Sequence, residues 1–379
     1  MSTSPRRWHK LLASCFSTAC WLTGCSAQSS MEPPSTFKAE CVGRLQFALP
    51  DAEVAVVNSK AILQELKGVT RISDGGISMA TQFADGQNAG YSQFTYEGQL
   101  MVSFPVDETL YKTIGDLFEK QERQLRRLVK PGSVDQRGEP MRHYQIEGLR
   151  PGEYAWRFKW NYNYINLVGS TVLKWEAWHD GDEAKEIGTR TFNNIRAARS
   201  RPLYTFPYVE QGVCLPYLFV PDDGHARRDI GVTYRLKEHP DVTVWLRDGG
   251  AYRSVKASEK EASAHEEIRF FWNLNYSNRK SVVMKENHAF RIAGLAGEYS
   301  VVELTRKDGA IDYGYFASAA DAPDKIGDFS DLQMFGIRDA QNAKAKGVEP
   351  MPKDEFIQLA KAIAATVQKR PVSASAARP

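Results

Sequence analysis

One short phrase occurs twice in this chain, and it constrains the architecture more than any other feature. IEGLRPGEY runs from Ile146 to Tyr154, and IAGLAGEY runs from Ile292 to Tyr299. Six of the eight positions in the shorter copy are identical. Because a phrase repeated at about the length of a domain indicates duplication, we expect each copy to mark the same strand entry in two related units. Its glycines permit a tight turn before the strand.

Further pairs of segments occur in the same order. The apolar runs CVGRLQFALP (41–50) and GVCLPYLFVP (212–221) each end in Pro, and the segments RAARSRP and VQKRP close the two units. Short apolar runs stopped by Pro are typical of strands. The sequence therefore predicts an α+β protein with two related domains, 41–202 and 203–371, each an antiparallel sheet packed with a few helices. Residues 372–379 are expected to form a disordered tail.

Apolar residues recur at helical spacing in two segments. Between Asp107 and Pro131 they predict a long helix with Asp107 as its N-cap, and KDEFIQLAKAIAATVQKRP predicts a closing helix that stops before Pro371. The run from Tyr154 to Tyr164 instead carries an aromatic residue at every second position. This alternation predicts one half-buried strand of eleven residues.

The first 24 residues have the layout of a secretory signal peptide. A basic start precedes an apolar stretch that is too short for a membrane span. The following LTGC looks like a bacterial lipobox, in which Cys25 would become the lipidated first residue; an ordinary signal peptidase site is the alternative. Residues 25–40 are rich in Ser and Pro and predict a flexible tether. We therefore expect a lipid-anchored periplasmic protein, with the outer membrane favoured because Ser26 follows the Cys.

The net charge excludes one class of partner. The chain has 49 Lys and Arg residues against 46 Asp and Glu residues. Arg6, Arg7 and Lys10 of the signal account for the whole excess, so the remaining chain is formally neutral. A neutral chain gives no electrostatic reason to bind nucleic acid.

Two cysteines remain once the signal and the lipid site are set aside. Cys15 and Cys20 lie in the signal, and Cys25 is the lipid site. Cys41 and Cys214 are then candidates for a disulfide, because exported proteins fold in an oxidising compartment. Two buried thiols are the alternative.

The sequence contains no motif for catalysis, for a metal site or for a cofactor. No two of its seven histidines have metal-ligand spacing, and no Gly-x-Ser-x-Gly elbow occurs. The adjacent His179 and Asp180 are expected to face solvent. Glu153 and Glu298 recur in the repeated phrase, and a structural hydrogen bond to neighbouring backbone explains them better than a catalytic pair. The sequence thus predicts a protein that is not an enzyme.

The aromatic run supplies the candidate binding residues. The second copy continues YSVVELTRKDG, with no aromatic side chain where Trp160, Tyr162 and Tyr164 stand. An eleven-residue strand is also longer than usual. We therefore expect its far end to overhang the core and present three rings to a partner; the core face of a sheet is the alternative. The segment 312–329 is a second candidate.

These features together resemble a known family. The exported lipoprotein layout, the CVGRLQFALP opening, the GLRPGEY and GLAGEY pair and the closing Arg-Pro segments are similar to those of the immunity proteins of type VI secretion lipase effectors. The likeness is to the fourth family of these cognate immunity proteins, whose N- and C-terminal domains are related. It covers residues 41–371.

The resemblance implies a binding protein. Its members protect the bacterium from a periplasmic phospholipase by clamping the enzyme with both domains and obstructing its active site or its opening. The expected partners are therefore a cognate lipase effector and, through the lipid anchor, a membrane. An envelope-assembly or structural lipoprotein is the alternative, and an exported hydrolase with a dispersed active site is a further one.

Overall fold

The computed structural model describes most of the chain after the N-terminal segment. The described residues are 34–67, 81–128, 132, 134, 143–158, 161–177, 184–205, 209–250, 268, 271–272, 279–320 and 331–372. They belong to one compact unit. Within these residues no helix is both long enough and apolar enough to span a membrane.

Strands dominate the described part of the chain. The helices are α1 (Ser59–Lys67), α2 (Glu108–Leu128), α3 (Ala184–Arg196), α4 (Ala340–Lys346) and α5 (Lys353–Thr366). The strands of the first half are β1 (Lys38–Val42), β2 (Leu45–Leu49), β3 (Ala52–Val54), β4 (Val56–Val57), β5 (Thr81–Gln82), β6 (Gln93–Tyr96), β7 (Gln99–Pro105), β8 (His143–Gln145), β9 (Tyr154–Phe158), β10 (Asn161–Val168), β11 (Thr171–Ala177) and β12 (Arg199–Ser200). Those of the second half are β13 (Gly212–Leu215), β14 (Leu218–Pro221), β15 (Arg228–Leu236), β16 (Val242–Gly249), β17 (Arg279–Ile292), β18 (Leu295–Arg306), β19 (Ile311–Ala320), β20 (Asp331–Arg338) and β21 (Gln368–Lys369).

The central sheet repeats one plan on both sides of its middle pair. Its order is β17-β18-β19-β20-β16-β15-β6-β7-β11-β10-β9-β8, and these neighbours are antiparallel. Outward from the β6–β15 pair, each half has a hairpin and then a four-stranded meander in reverse order. The predicted α+β class with antiparallel sheet is confirmed. The two halves join edge to edge at β6 and β15 to form one sheet.

The repeated phrase occupies the equivalent turn in both halves. The first copy links β8 to β9, and the second links β17 to β18. Gly148 and Gly294 both have a positive φ, +68° and +80°, in these turns. A left-handed backbone conformation favours glycine, which explains why both copies keep it. The phrase therefore marks the entry to the second strand of each meander.

The predicted strand openings are also a pair of equivalent hairpins. CVGRLQFALP contains the end of β1, the turn and β2 of the first hairpin, and GVCLPYLFVP contains the whole β13–β14 hairpin. Cys41 and Cys214 are joined by a disulfide with a Cα–Cα distance of 5.8 Å. Gly43 and Cys214 exchange two backbone hydrogen bonds beside it, so the hairpins also touch through main chain.

Each half supplies the strand that completes the other half's hairpin. β12, which follows α3, pairs with β14 of the second half, and β21, which follows α5, pairs with β2 of the first half. Arg201 donates its backbone N–H to Tyr217, and Arg370 donates to Arg44 at the equivalent position. This reciprocal exchange interleaves the segments 41–202 and 203–371 in space. The division of the chain at 202/203 stays a prediction.

Helices cover both faces of the sheet. On one face, α1 and α2 pack over the cluster that contains Phe118 and Trp156. On the other face, α3 and α5 cover the largest cluster, through residues such as Phe192 and Phe356. Leu110 donates its backbone N–H to Asp107 Oδ1 at 2.7 Å, which confirms the predicted N-cap of α2. The predicted closing helix is α5, but it ends at Thr366, and Gln368–Lys369 form β21 instead of its last turn.

Candidate partner-binding surface

The aromatic run does not form one overhanging strand. It is split into β9, which ends at Phe158, and β10, which begins at Asn161. Tyr162 and Tyr164 are only 4% and 0% exposed, so the prediction that they present rings to a partner is wrong. Trp160 lies outside the described residues.

The register of β9 against β10 explains why the run divides between two cores. Tyr162 lies opposite Arg157, and Tyr164 lies opposite Ala155. Because directly opposed residues share a face of the sheet, Tyr162 and Tyr164 face away from Trp156. Trp156 accordingly belongs to the core under α2, whereas both tyrosines belong to the core under α3.

Close approach of α3 buries the two tyrosines. A Cβ built on Gly188 of α3 would lie 2.5 Å from the Tyr162 ring, so only glycine allows the helix this near. Phe192, one turn further along, stacks on Tyr162 with a centroid distance of 5.7 Å and meets Tyr164 edge-on at 5.4 Å. The rings predicted to bind a partner hold α3 on the sheet instead.

Glu153 of the repeated phrase has the structural role expected of it. Its carboxylate accepts the backbone N–H of Arg150 at 2.8 Å, the Arg196 guanidinium at 2.8 Å and the Tyr164 hydroxyl at 2.9 Å. Burial alone would raise the pKa of Glu153, but hydrogen bonds from Arg150 and Arg196 outweigh it and lower the pKa to about 2. A carboxylate held ionised in this way fastens the turn before β9 to the end of α3.

The described residues contain no group of three or more His, Cys, Asp or Glu side chains placed to hold a metal ion. His179 and Asp180 lie outside the described residues, as does the lipidation candidate Cys25. Of the second binding candidate, 312–329, the part up to residue 320 forms β19, in which Tyr315 is buried.

β17, at one edge of the central sheet, is a long and largely exposed strand. It has 14 residues, of which only Ile292 is buried. β18 pairs with it along nearly its whole length, and no strand in the described part of the chain pairs with its other side. The strand at the opposite edge, β8, has only three residues. Proteins usually keep edge strands short, so the length of β17 is unusual.

β17 combines basic and apolar side chains. Arg279, Lys280, Lys285 and Arg291 are cationic, and Glu286 is its one acidic residue. Val283 and Met284, in the middle of the strand, are 44% and 41% exposed. Consecutive strand residues point to opposite faces, so each face of the edge carries one of these apolar groups.

The inner side of β17 contacts α5 and β18 of the same half. Glu286 accepts a hydrogen bond from Lys361 of α5 at 2.7 Å and another from the Tyr299 hydroxyl at 3.1 Å. The Lys361 hydrogen bond lowers the pKa of Glu286. Tyr299 also stacks on Tyr315 and meets Phe290 edge-on. These contacts anchor β17 to α5, β18 and β19.

Sequence reasoning missed this surface because β17 has no alternating pattern. A half-buried strand shows apolar residues at every second position, but SVVMKENHAF is mixed on both faces. The second copy of the repeated phrase was the available signal, because it predicts a strand entry and therefore a partner strand before it. The exposure of that partner strand follows only from the sheet order.

The fold resembles those of solved immunity proteins. For the immunity protein TplEi of the T6SS from Pseudomonas aeruginosa, complexed with "L" peptide, the TM-score is 0.54 at 14% identity, covering 89% of this chain and 99% of that chain. For a chain of the Tle4–Tli4 complex, the TM-score is 0.52 with the same identity and coverage. At this identity the likeness shows a shared fold.

One sequence family matches the second half. Residues 208–372 match the Tle cognate immunity protein 4 C-terminal domain. No curated protein matches the chain by sequence. The family match confirms the resemblance predicted from the repeated phrase and the strand openings. Because immunity proteins act by binding, it also confirms the prediction that the chain is not an enzyme.

Proposed function

We propose, from the premise that residues 208–372 form a Tle cognate immunity protein 4 C-terminal domain, that the chain binds and inhibits a type VI secretion lipase effector in the periplasm. The family match is the observation that carries this proposal. The shared fold over 89% of the chain supports it, because it extends the likeness beyond the matched domain into the first half.

The proposed mechanism is obstruction. One sheet built from two interleaved halves would present a large preformed surface, and binding to such a surface loses little conformational entropy. The bound chain would cover the active site of the lipase or the opening that leads to it. No chemistry by the chain itself is required.

The periplasmic address rests on separate observations. The first 24 residues have the layout of a signal peptide, and LTGC ends in the lipidation candidate Cys25. The Cys41–Cys214 disulfide supports an oxidising compartment. A lipid-anchored inhibitor would stand beside the phospholipids that the effector attacks.

An inhibition titration tests the function. The soluble chain from Ser26 onward is added to the purified lipase encoded by the neighbouring gene, and phospholipid hydrolysis is followed against chain concentration. We expect activity to vanish near equimolar addition, while an unrelated lipase keeps its activity. Unchanged hydrolysis with no complex on a sizing column would favour the alternative, an envelope-assembly lipoprotein that binds another membrane protein.

Fractionation tests the anchor. The full chain and its Cys25→Ala variant are expressed in a bacterium with the lipoprotein pathway, and outer membrane, inner membrane and soluble periplasm are separated. We expect the unmodified chain in the outer membrane and the variant outside it. The same distribution for both would contradict lipidation at Cys25.

A further inference from the structure

We propose that the outer edge of β17 pairs with an extended acidic segment of the partner, which would add a strand to the central sheet. This inference rests on the proposed function, since the partner is the lipase effector. It assigns the binding mode and the chemistry that the partner segment must have.

β17 lies at an edge of the central sheet. An edge strand carries a row of N–H and C=O groups that can bond to another chain. At about 3.4 Å per residue, 14 residues give a strand about 45 Å long, and its longest regular stretch is Glu286–Ile292, after register shifts at Arg279/Ser281 and Met284/Glu286. Among the described residues, β18 is the only strand that pairs with β17. The opposite edge, three-residue β8, offers far less.

The edge strand β17 carries an excess of positive charge. β17 has four cationic residues and only one acidic residue, Glu286. Glu286 is already bonded to Lys361 of α5. Lys285 is paired with Glu303 of β18 at 3.3 Å, so the positive charge left for a partner comes from Arg279, Lys280 and Arg291. The excess of positive charge attracts an acidic strand and repels another basic one. Two copies of the chain would bring like charges together, so the charge disfavours self-pairing through β17.

The centre of β17 is apolar and exposed. Val283 and Met284 lie at adjacent positions, so a paired strand would meet an exposed apolar side chain on each face of the sheet. Cross-strand pairs of this kind contribute to sheet stability. The matching segment therefore has apolar residues at its centre and Asp or Glu toward its ends.

Charge reversal with a matched control tests the pairing. The double variant Lys280→Glu/Arg291→Glu changes two exposed side chains of β17, and Lys112→Glu/Lys120→Glu makes the same change in charge on exposed positions of α2. The affinity for the neighbouring-gene lipase is measured by calorimetry, after thermal melts show that both variants are folded. We expect at least tenfold weaker binding for the β17 variant and less than twofold for the control.

Hydrogen exchange locates the contact independently of any variant. Amides of 279–292 should exchange more slowly in the lipase complex than in the free chain, while those of 143–145 in β8 should not change. Unchanged exchange at 279–292, or equal weakening by both double variants, would overturn the inference.

The results distinguish failure of the pairing mode from failure of the proposed function. If the unmodified chain inhibits the lipase but β17 is neither protected nor sensitive to charge reversal, only the pairing mode fails. If the unmodified chain neither binds nor inhibits the lipase, both fail. A dimer in sedimentation with 279–292 already protected in the free chain would assign the edge to self-association and overturn the proposal.

Discussion

Cys41 and Cys214 occupy the same position in two copies of one hairpin, and they are bonded to each other. Val42 lies opposite Leu45 across the first hairpin, and Leu215 lies opposite Leu218 across the second. Each cysteine is the residue just before the first member of these pairs. The disulfide therefore links equivalent points of the two halves, where the interleaved hairpins meet.

Removing this disulfide should lower stability without changing the binding surface. For Cys41→Ser/Cys214→Ser we expect the free energy of unfolding to fall by about 2–5 kcal/mol, because the bridge constrains a long loop of the unfolded chain. Chemical denaturation of the variant, of the oxidised parent chain and of the reduced parent chain measures this. Equal midpoints for the oxidised parent chain and the variant would contradict it.

The free energy of unfolding should depend on both members of the buried ion pair Glu40–Arg201. Arg201 Nη2 lies 2.6 Å from Glu40 Oε1, and both side chains are almost fully buried. Arg201→Met leaves the carboxylate without its cation and should cost about 3–5 kcal/mol of unfolding free energy. A cycle with Glu40→Gln and the double variant should give a coupling energy above about 1 kcal/mol. Additive costs would show that the pair is not coupled.

Glu153 should make stability fall in acid. Its pKa is lowered from 4.5 to about 2 in the folded chain, so its contribution is complete above pH 4.5 and is lost as the pH falls towards 2. The side chain is 1% exposed, and the shift corresponds to about 3 kcal/mol at neutral pH.

Denaturation of the unmodified chain and of Glu153→Gln at several pH values measures this linkage. We expect the difference in unfolding free energy to be largest near pH 7 and to shrink below pH 4. A difference that does not change with pH would contradict the assignment to Glu153.

Gly188→Ala should reveal the close approach of α3. In an open helix this change is stabilising by up to about 1 kcal/mol. Here the added methyl group would meet the Tyr162 ring, so we expect a net loss of about 1–3 kcal/mol. In a Tyr162→Leu background the loss should shrink or reverse. An equal loss in both backgrounds would mean that the ring is not the obstacle.

Local features of the fold could be predicted from the sequence, and the sheet order could not. The cap of α2 depends on Asp107 and the residues that follow it, so the sequence alone identifies it. The repeated phrase likewise predicts equivalent turns. The exchange of β12 and β21 between halves joins residues far apart in sequence, such as Gln46 and Gln368, and no local pattern records it.

The aromatic run shows a limit of periodicity. Aromatic residues continue at every second position from Tyr154 to Tyr164, although the chain reverses direction after Phe158. Two residues separate β9 from β10, so the alternation continues unbroken in the sequence. The aromatic side chains of β9 and those of β10 nevertheless lie on opposite faces of the sheet. The candidate surface was missed for the opposite reason, because β17 is exposed on both faces and has no alternation to detect.

The exchanged closing strands restrict how a gene for such a chain can recombine. If a crossover replaced one half with that of a distant relative, the β2–β21 pair and the β12–β14 pair would each contain one native and one foreign strand. Both interfaces would have to match at once for the hybrid to fold. The outermost strands, β17 and β8, pair with their neighbours in sequence and escape this requirement. Point substitutions can therefore accumulate in the edge strands β17 and β8, while the two halves that share the exchanged strands have to be inherited together.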